Sequence, residues 1–345
     1  MANTGCCRFN LMQIDPSDGL IIWKRAIYGT LPQKIPFLPG LDRIEPLHGT
    51  NDVIVMAAGS ITRVDPSGKQ IWSQAGFLDS SADGVKRPFD VDATGISVGS
   101  IGRVLGQSTF RALNPDGSIR WTNQIFGVDI RTFRSFPTGN TMIISGFAGL
   151  LGGPPAAKYS LNTLTGAVTP LLGATNPAQG NVAAVSGSST FIDDMNHVAA
   201  ARELDVSTGS LVSTFPTSFT ATNVRTVPGG TGGYVTAQDL TGVLLVPLIQ
   251  RTDATGTPIF SLTAPGGLTL NLMHDACSDG SIHYFCGDKG AALGAGGPAI
   301  FALDDSGTLI WQQKYGGFSA PSVGGNGICL SEDGFLYVCG DVSIP

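Results

Sequence analysis

The stretch RVDPSGKQIW, residues 63–72, decides the fold. A short run of strand-forming residues enters a polar turn, and a second run leaves it and ends on Trp72. The phrase returns as QIDPSDGLIIW, ending at Trp23, as ALNPDGSIRW, ending at Trp121, and as ALDDSGTLIW, ending at Trp311. These are all four tryptophans of the chain, and each follows a turn glycine (Gly19, Gly68, Gly117 or Gly307) by four residues. A large ring held at one distance from a turn marks a repeat, and the period of a repeat governs the fold.

Three further copies lack the tryptophan: SLNTLTGAVTP around Gly166, ELDVSTGSLVS around Gly209, and RTDATGTPIF around Gly256, with Phe260 in the tryptophan slot. The seven glycines are spaced 43 to 51 residues apart, and an Asp or Asn precedes each by three or four positions. Such a side chain bonds the backbone two residues on, while glycine supplies the positive φ of a tight turn. A second hairpin signal precedes most of these, as in PFDVDATGISVGS, RSFPTGNTMIISG, DACSDGSIHYFCGD and CLSEDGFLYVCGD. Two hairpins per period predict a four-stranded antiparallel sheet, the blade of a β-propeller, with strands A to D running outward.

The chain opens on a C–D hairpin and closes on an A–B hairpin. The expectation is an all-β chain, one domain over residues 1–345. It would be a seven-bladed β-propeller whose closing blade combines about 1–28 with 318–345 and so leaves no open edge. Trp23, Trp72, Trp121, Trp311 and Phe260 would lie on strand D and cover the contact between adjacent blades, each contributing about 2–3 kcal/mol by burial. An indole suits a half-wet place, because its face packs while its N–H finds a carbonyl. Pro170 and Ser213 fill the slot in the two blades expected to dock less tightly.

The D-x-x-G-x-x-x-W phrase, whose glycine and tryptophan recur in four repeats of seven, resembles the blade signature of the PQQ-like, quinoprotein-type β-propellers. That resemblance covers the whole chain and implies an architecture that hosts both dehydrogenases and assembly scaffolds. The dehydrogenases of the family carry PQQ over a disulfide of adjacent cysteines, with Ca²⁺ and an Asp base. Cys6 and Cys7 are adjacent, but they precede the first C strand of a chain shorter than those enzymes, so no cofactor is expected.

Composition narrows the function classes. Only 13% of residues are charged, Lys and Arg total 20, and the formal net charge is −6, which excludes a phosphate-tracking nucleic-acid binder. No run of 18 apolar residues and no polybasic patch points to a membrane. The N-terminus MANTGCCRFNLMQID has no secretory pattern, so synthesis in the cytoplasm without a signal peptide is expected.

No catalytic constellation emerges. GISVG (95–99) matches a nucleophile elbow, but Ser97 follows a hairpin, whereas the elbow needs a strand-to-helix turn. DVDATG (90–95) begins like a calcium loop, yet Ile101 stands where the bidentate Glu belongs, so no metal is expected. Cys286 and Cys339 share one small-residue slot, with Cys277 and Cys329 on partner strands, and free thiols are favoured. Arg87, Arg131, Arg134, Arg225 and His274 recur near the A strands and form a candidate funnel site for an anion or acidic glycan.

Insertions between strands B and C, at 99–108, 146–157, 239–248 and 287–299, carry Leu, Val and Ala among Gly and Pro, and would build one rim. Such an apolar rim points to protein partners. The expected function is therefore a non-catalytic structural or interaction propeller in a large assembly such as a phage virion (tail, baseplate or capsid decoration). The alternative is an adhesin or enzyme using the central funnel, with surface glycans as ligands.

Overall fold

The computed structural model describes residues 8–28, 43–57, 59–77, 89–104, 107–148, 158–171, 181–186, 190–194, 200–216, 221–228, 233–240, 247–255, 257–262, 272–289, 297–315 and 325–341. Every element assigned among them is a strand. β1 (Arg8–Ile14) and β2 (Ile21–Tyr28) open the chain. β3 (Arg43–Pro46), β4 (Val53–Ala57), β5 (Ser60–Val64) and β6 (Gln70–Ala75) form one antiparallel sheet in sequence order. β7 (Phe89–Val91), β8 (Ser97–Val104), β9 (Gln107–Leu113) and β10 (Ile119–Phe126) form the next, followed by β11 (Val128–Ser135), β12 (Thr141–Ala148), β13 (Lys158–Asn162) and β14 (Val168–Pro170).

β15 (Asn181–Ser186), β16 (Thr190–Asp194), β17 (Ala200–Asp205) and β18 (Leu211–Pro216) repeat the pattern. So do β19 (Ala221–Pro228), β20 (Tyr234–Leu240), β21 (Pro247–Thr252) and β22 (Pro258–Leu262), and then β23 (Leu272–Ser278), β24 (Ile282–Lys289), β25 (Gly297–Asp304) and β26 (Leu309–Lys314). The last strands, β27 (Gly325–Leu330) and β28 (Leu336–Asp341), join the first two in the order β2-β1-β28-β27, with Leu11 opposite Cys339. The first two strands and the last two thus share one sheet.

The chain divides into two compact units. One comprises Met1–Pro46, Thr50–Ala75 and Thr222–Pro345; the other comprises Leu47–Gly49 and Gly76–Ala221. Within the first, strands of consecutive sheets lie side by side: β20 beside β23, β23 beside β27, and β27 beside β3. Within the second, β7 lies beside β11 and β11 beside β15. The core consequently sits between sheets. Val98, Phe110 and Ile125 meet Ile130, Phe133 and Ile144 in one cluster, and Leu11 and Tyr337 meet Ile44 and Val55 in another.

The D-strand hairpins follow from their turns. Gly19, Gly68, Gly117, Gly166, Gly209 and Gly307 all have φ between 71 and 87°, a region that side chains disfavour. Asp15, Asp65, Asp205, Asp253 and Asp304 each accept a backbone N–H from two residues on. Around Gly117 that role passes to Asp116, which accepts from Ser118, while Asn114 bonds the Ser118 and Arg120 side chains.

Beyond the turn comes a feature that the sequence pattern does not announce. Trp72 pairs with Arg63 and Gln70 with Val64, so Ile71 between them is the extra residue of a β-bulge. The same shift singles out Ile22, Arg120, Val212, Ile259 and Ile310, always three residues after the turn glycine. Only the hairpin around Gly166 runs without it. A bulge resets the alternation of faces. It leaves the extra residue in solvent, with Ile22, Ile71, Val212, Ile259 and Ile310 all exposed, and re-aims the residue after it, the tryptophan.

Candidate functional site: sheet junctions, inner strands and rim

The bulge delivers Trp23, Trp121 and Trp311 to the turn of a neighbouring sheet. The indole N–H of Trp23 donates to the Pro66 carbonyl at 2.8 Å, that of Trp121 to Thr163 at 2.7 Å, and that of Trp311 to Pro16 at 2.7 Å. In all three the acceptor directly follows the turn Asp or Asn. The ring lies over the turn glycine itself. A Cβ on Gly19 would stand 2.7 Å from the Trp311 ring, one on Gly166 would stand 3.0 Å from Trp121, and one on Gly307 would stand 2.8 Å from Phe260. The Asp-Gly pair of one sheet and the tryptophan of the sheet before it are therefore two halves of one contact. Trp72 is half-buried on β6.

Inner strands tie to each other through carboxylates. Asp90 of β7 accepts from the Ser135 N–H of β11 at 2.8 Å, and Asp275 of β23 accepts from the Ile328 N–H of β27 at 3.3 Å. Asp92 accepts from the Thr94 and Ile96 amides through one oxygen and from the Thr163 hydroxyl through the other. The resemblance of 90–95 to a calcium loop thus ends in turn and inter-sheet bonds. Ser97 begins β8 and is buried.

Of the funnel residues, Arg131 and Arg134 lie on β11, Arg225 on β19 and His274 on β23, all of them innermost strands. Arg134 is half-buried. Arg87 lies outside the described residues, as do the side chains of Arg131, Arg225 and His274.

Sequence reasoning missed a polar cluster between the β19–β22 and β23–β26 sheets. Arg251 of β21, fully buried, donates to both carboxylate oxygens of Asp305 (2.7 and 3.2 Å) and to the Thr252 carbonyl. His283 of β24, also fully buried, holds Asp305 through Nε2 at 3.0 Å and the Ser278 hydroxyl through Nδ1 at 2.8 Å. The Ser278 oxygen in turn accepts from the Gly280 N–H. Burial raises the Asp305 carboxyl, but hydrogen bonds from Arg251 and His283 outweigh it and hold it at about 2. Burial pulls the His283 imidazole below its ordinary value despite the attraction of Asp305.

Ser, His and Asp in hydrogen-bonded sequence have the makings of a proton relay. Here the serine oxygen caps its own turn and the carboxylate is shared with an arginine, so the arrangement holds sheets together. One signal pointed to it: Asp305 in LDDSG occupies the place of Pro66 in VDPSG and Pro115 in LNPDG.

The B–C insertions begin as ladder. β8 and β9 stay paired as far as Val104 and Gln107, β24 and β25 as far as Lys289 and Gly297, and β20 and β21 as far as Asp239 and Pro247. β12 runs on to Ala148. The tips, 105–106, 149–157, 241–246 and 290–296, lie outside the described residues. Beside the first of them Phe126, paired with Gln107, is 69% exposed, the largest fraction for any big apolar side chain among the described residues.

Cys277, Cys286, Cys329 and Cys339 form no disulfide with one another, and Cys329 pairs in register with Tyr337. Burial pushes the Cys329 thiol well above its ordinary value. Cys6 and Cys7 lie outside the described residues. Among the described residues, no group of three or more His, Cys, Asp or Glu side chains is placed to hold a metal ion, and no helix is long and apolar enough to cross a membrane.

No family model and no curated protein matches the chain. Solved structures do. The WD40 domain of Neurospora crassa Pan2 is similar at TM-score 0.58 and 13% identity, over 89% of this chain and 90% of that one. The Dos1 propeller is similar at 0.50 and 11%, over 84% and 75%. Chaetomium thermophilum Raptor is similar at 0.56 and 10%, over 89% of this chain; the match spans 28% of the Raptor chain. At these identities the likeness shows the fold alone, that of a β-propeller.

Proposed function

We propose that the chain is a non-catalytic protein-interaction scaffold: a seven-bladed β-propeller of the PQQ-like repeat type, closed where β1 and β2 complete the sheet of β27 and β28. In this reading the tryptophan–turn contacts are blade-docking joints, and partners bind at the rim of lengthened B–C hairpins.

The carrying observation is where polar and apolar groups are spent. Two inner-strand carboxylates, Asp90 and Asp275, serve as ties between sheets, while Phe126 stands out in solvent beside the 99–108 hairpin. Aromatic side chains, Phe among them, are enriched in protein interfaces relative to the rest of a surface. A sparsely charged chain rich in glycine fits a component packed among others, and a virion is the assembly that this composition favours.

Sedimentation of the native chain from its source tests the proposal. Migration with a particle far larger than 35.7 kDa, reduced by Phe126→Ser, supports it. Migration as a lone chain, with an anion or acidic glycan bound in a manner that Arg134→Ala weakens, supports the funnel reading instead.

A further inference from the structure

The cluster of Arg251, Ser278, His283 and Asp305 spans two sheets: Arg251 comes from β21, and the other three from β23, β24 and the turn after β25. We propose that it is an acid-released clasp, in which a neutral His283 fastens the β19–β22 sheet to the β23–β26 sheet and a protonated His283 loosens that junction.

The hydrogen-bond partners suit the neutral form. Nε2–H donates to Asp305, and Nδ1 accepts from the Ser278 hydroxyl, whose oxygen accepts from Gly280. A second proton would turn Nδ1 into a donor. The Ser278 hydroxyl would have to swing away and its oxygen receive two N–H groups at once. The new cation would also share one carboxylate with the buried Arg251 guanidinium. The charged groups acting on His283 are Asp305 from the β25–β26 turn, Arg251 from β21 and Asp279 from the β23–β24 turn. Asp305 is already held by Arg251, and Asp279 by the Ser281 and Ile282 amides.

The direction of the pH effect follows from linkage. Burial leaves the folded imidazole harder to protonate than the unfolded one, whose value is near 6.5. The unfolded chain therefore binds more protons below that pH. Stability from a neutral His283 is complete above 6.5 and is lost as pH falls from there through the folded value. Asp305 stays ionised across this window.

Two measurements test the clasp. In an imidazole NMR titration of the folded protein, assigned with His283→Gln, His283 should titrate below 6.5. Amide exchange in β21 and β24, corrected for intrinsic pH dependence, should quicken between pH 7.5 and 5, by up to about tenfold for each pH unit below 6.5. Exchange in β11 and β12 should not follow. His283→Gln should abolish the acid-dependent part. A folded His283 titrating at or above 6.5 overturns the proposal even if the variant does not fold, as does a variant whose exchange keeps the wild-type pH profile.

Discussion

Trp311 is the most buried of the four tryptophans at 8% exposure, with its ring edge-tilted on Tyr284 at 6.1 Å and its N–H on Pro16. Trp311→Ala should cost about 3–5 kcal/mol in urea unfolding, the range for a lost buried aromatic. Trp311→Phe should cost nearer ~1 kcal/mol, because packing survives and one hydrogen bond is lost. The turn aspartates act at the same scale. Hydrogen bonds from Ser17, Ser207, Thr255 and Ser306 hold the carboxyls of Asp15, Asp205, Asp253 and Asp304 below the ordinary 3.8. A lowered folded value favours the native state above 3.8, and that advantage fades as pH falls through the lower folded values. Asp→Asn at these four positions should flatten the acid limb of a stability–pH curve below about pH 4 and leave it unaltered in shape at pH 6–8.

At the scale of the element, the bulge explains the spacing that the repeat displays. Glycine and tryptophan lie in one hairpin, so their fixed distance is legible in sequence. The bulge between them is not, because an Ile at the extra position reads as an ordinary strand residue. Nor is the clasp legible: its members lie between 251 and 305 on four separate stretches, and only the doubled Asp of LDDSG hints at it. The B–C insertions read as loops because Gly and Pro punctuate them, yet their flanks extend the ladder. Since Ile71 projects into solvent, Ile71→Thr should change stability by no more than about 0.5 kcal/mol. Deleting Ile71 should cost several times more by turning Trp72 to the other face, which the same unfolding experiment reads.

For the molecule as a whole, the shared sheet of β1, β2, β27 and β28 makes the two ends depend on each other. Removing residues 1–28 would leave β28 as an unpaired edge and open the cluster around Leu11, Ile44 and Tyr337. That truncated chain should aggregate or lose cooperative unfolding, and restoration by the separate 1–28 peptide would mark the strand pairing as the cause. The central claim is narrower: the tryptophan and the turn glycine of the repeat meet across a junction, as Trp23 with Gly68, Trp121 with Gly166 and Trp311 with Gly19. A double-mutant cycle on Gly19→Ala and Trp311→Ala measures it. A methyl group added at Gly19 has nowhere to go while the ring is present, so the two losses should fall short of additivity by about 1 kcal/mol or more. Losses that add to within about 0.3 kcal/mol would mean that the two residues do not touch, and the junction would be contradicted.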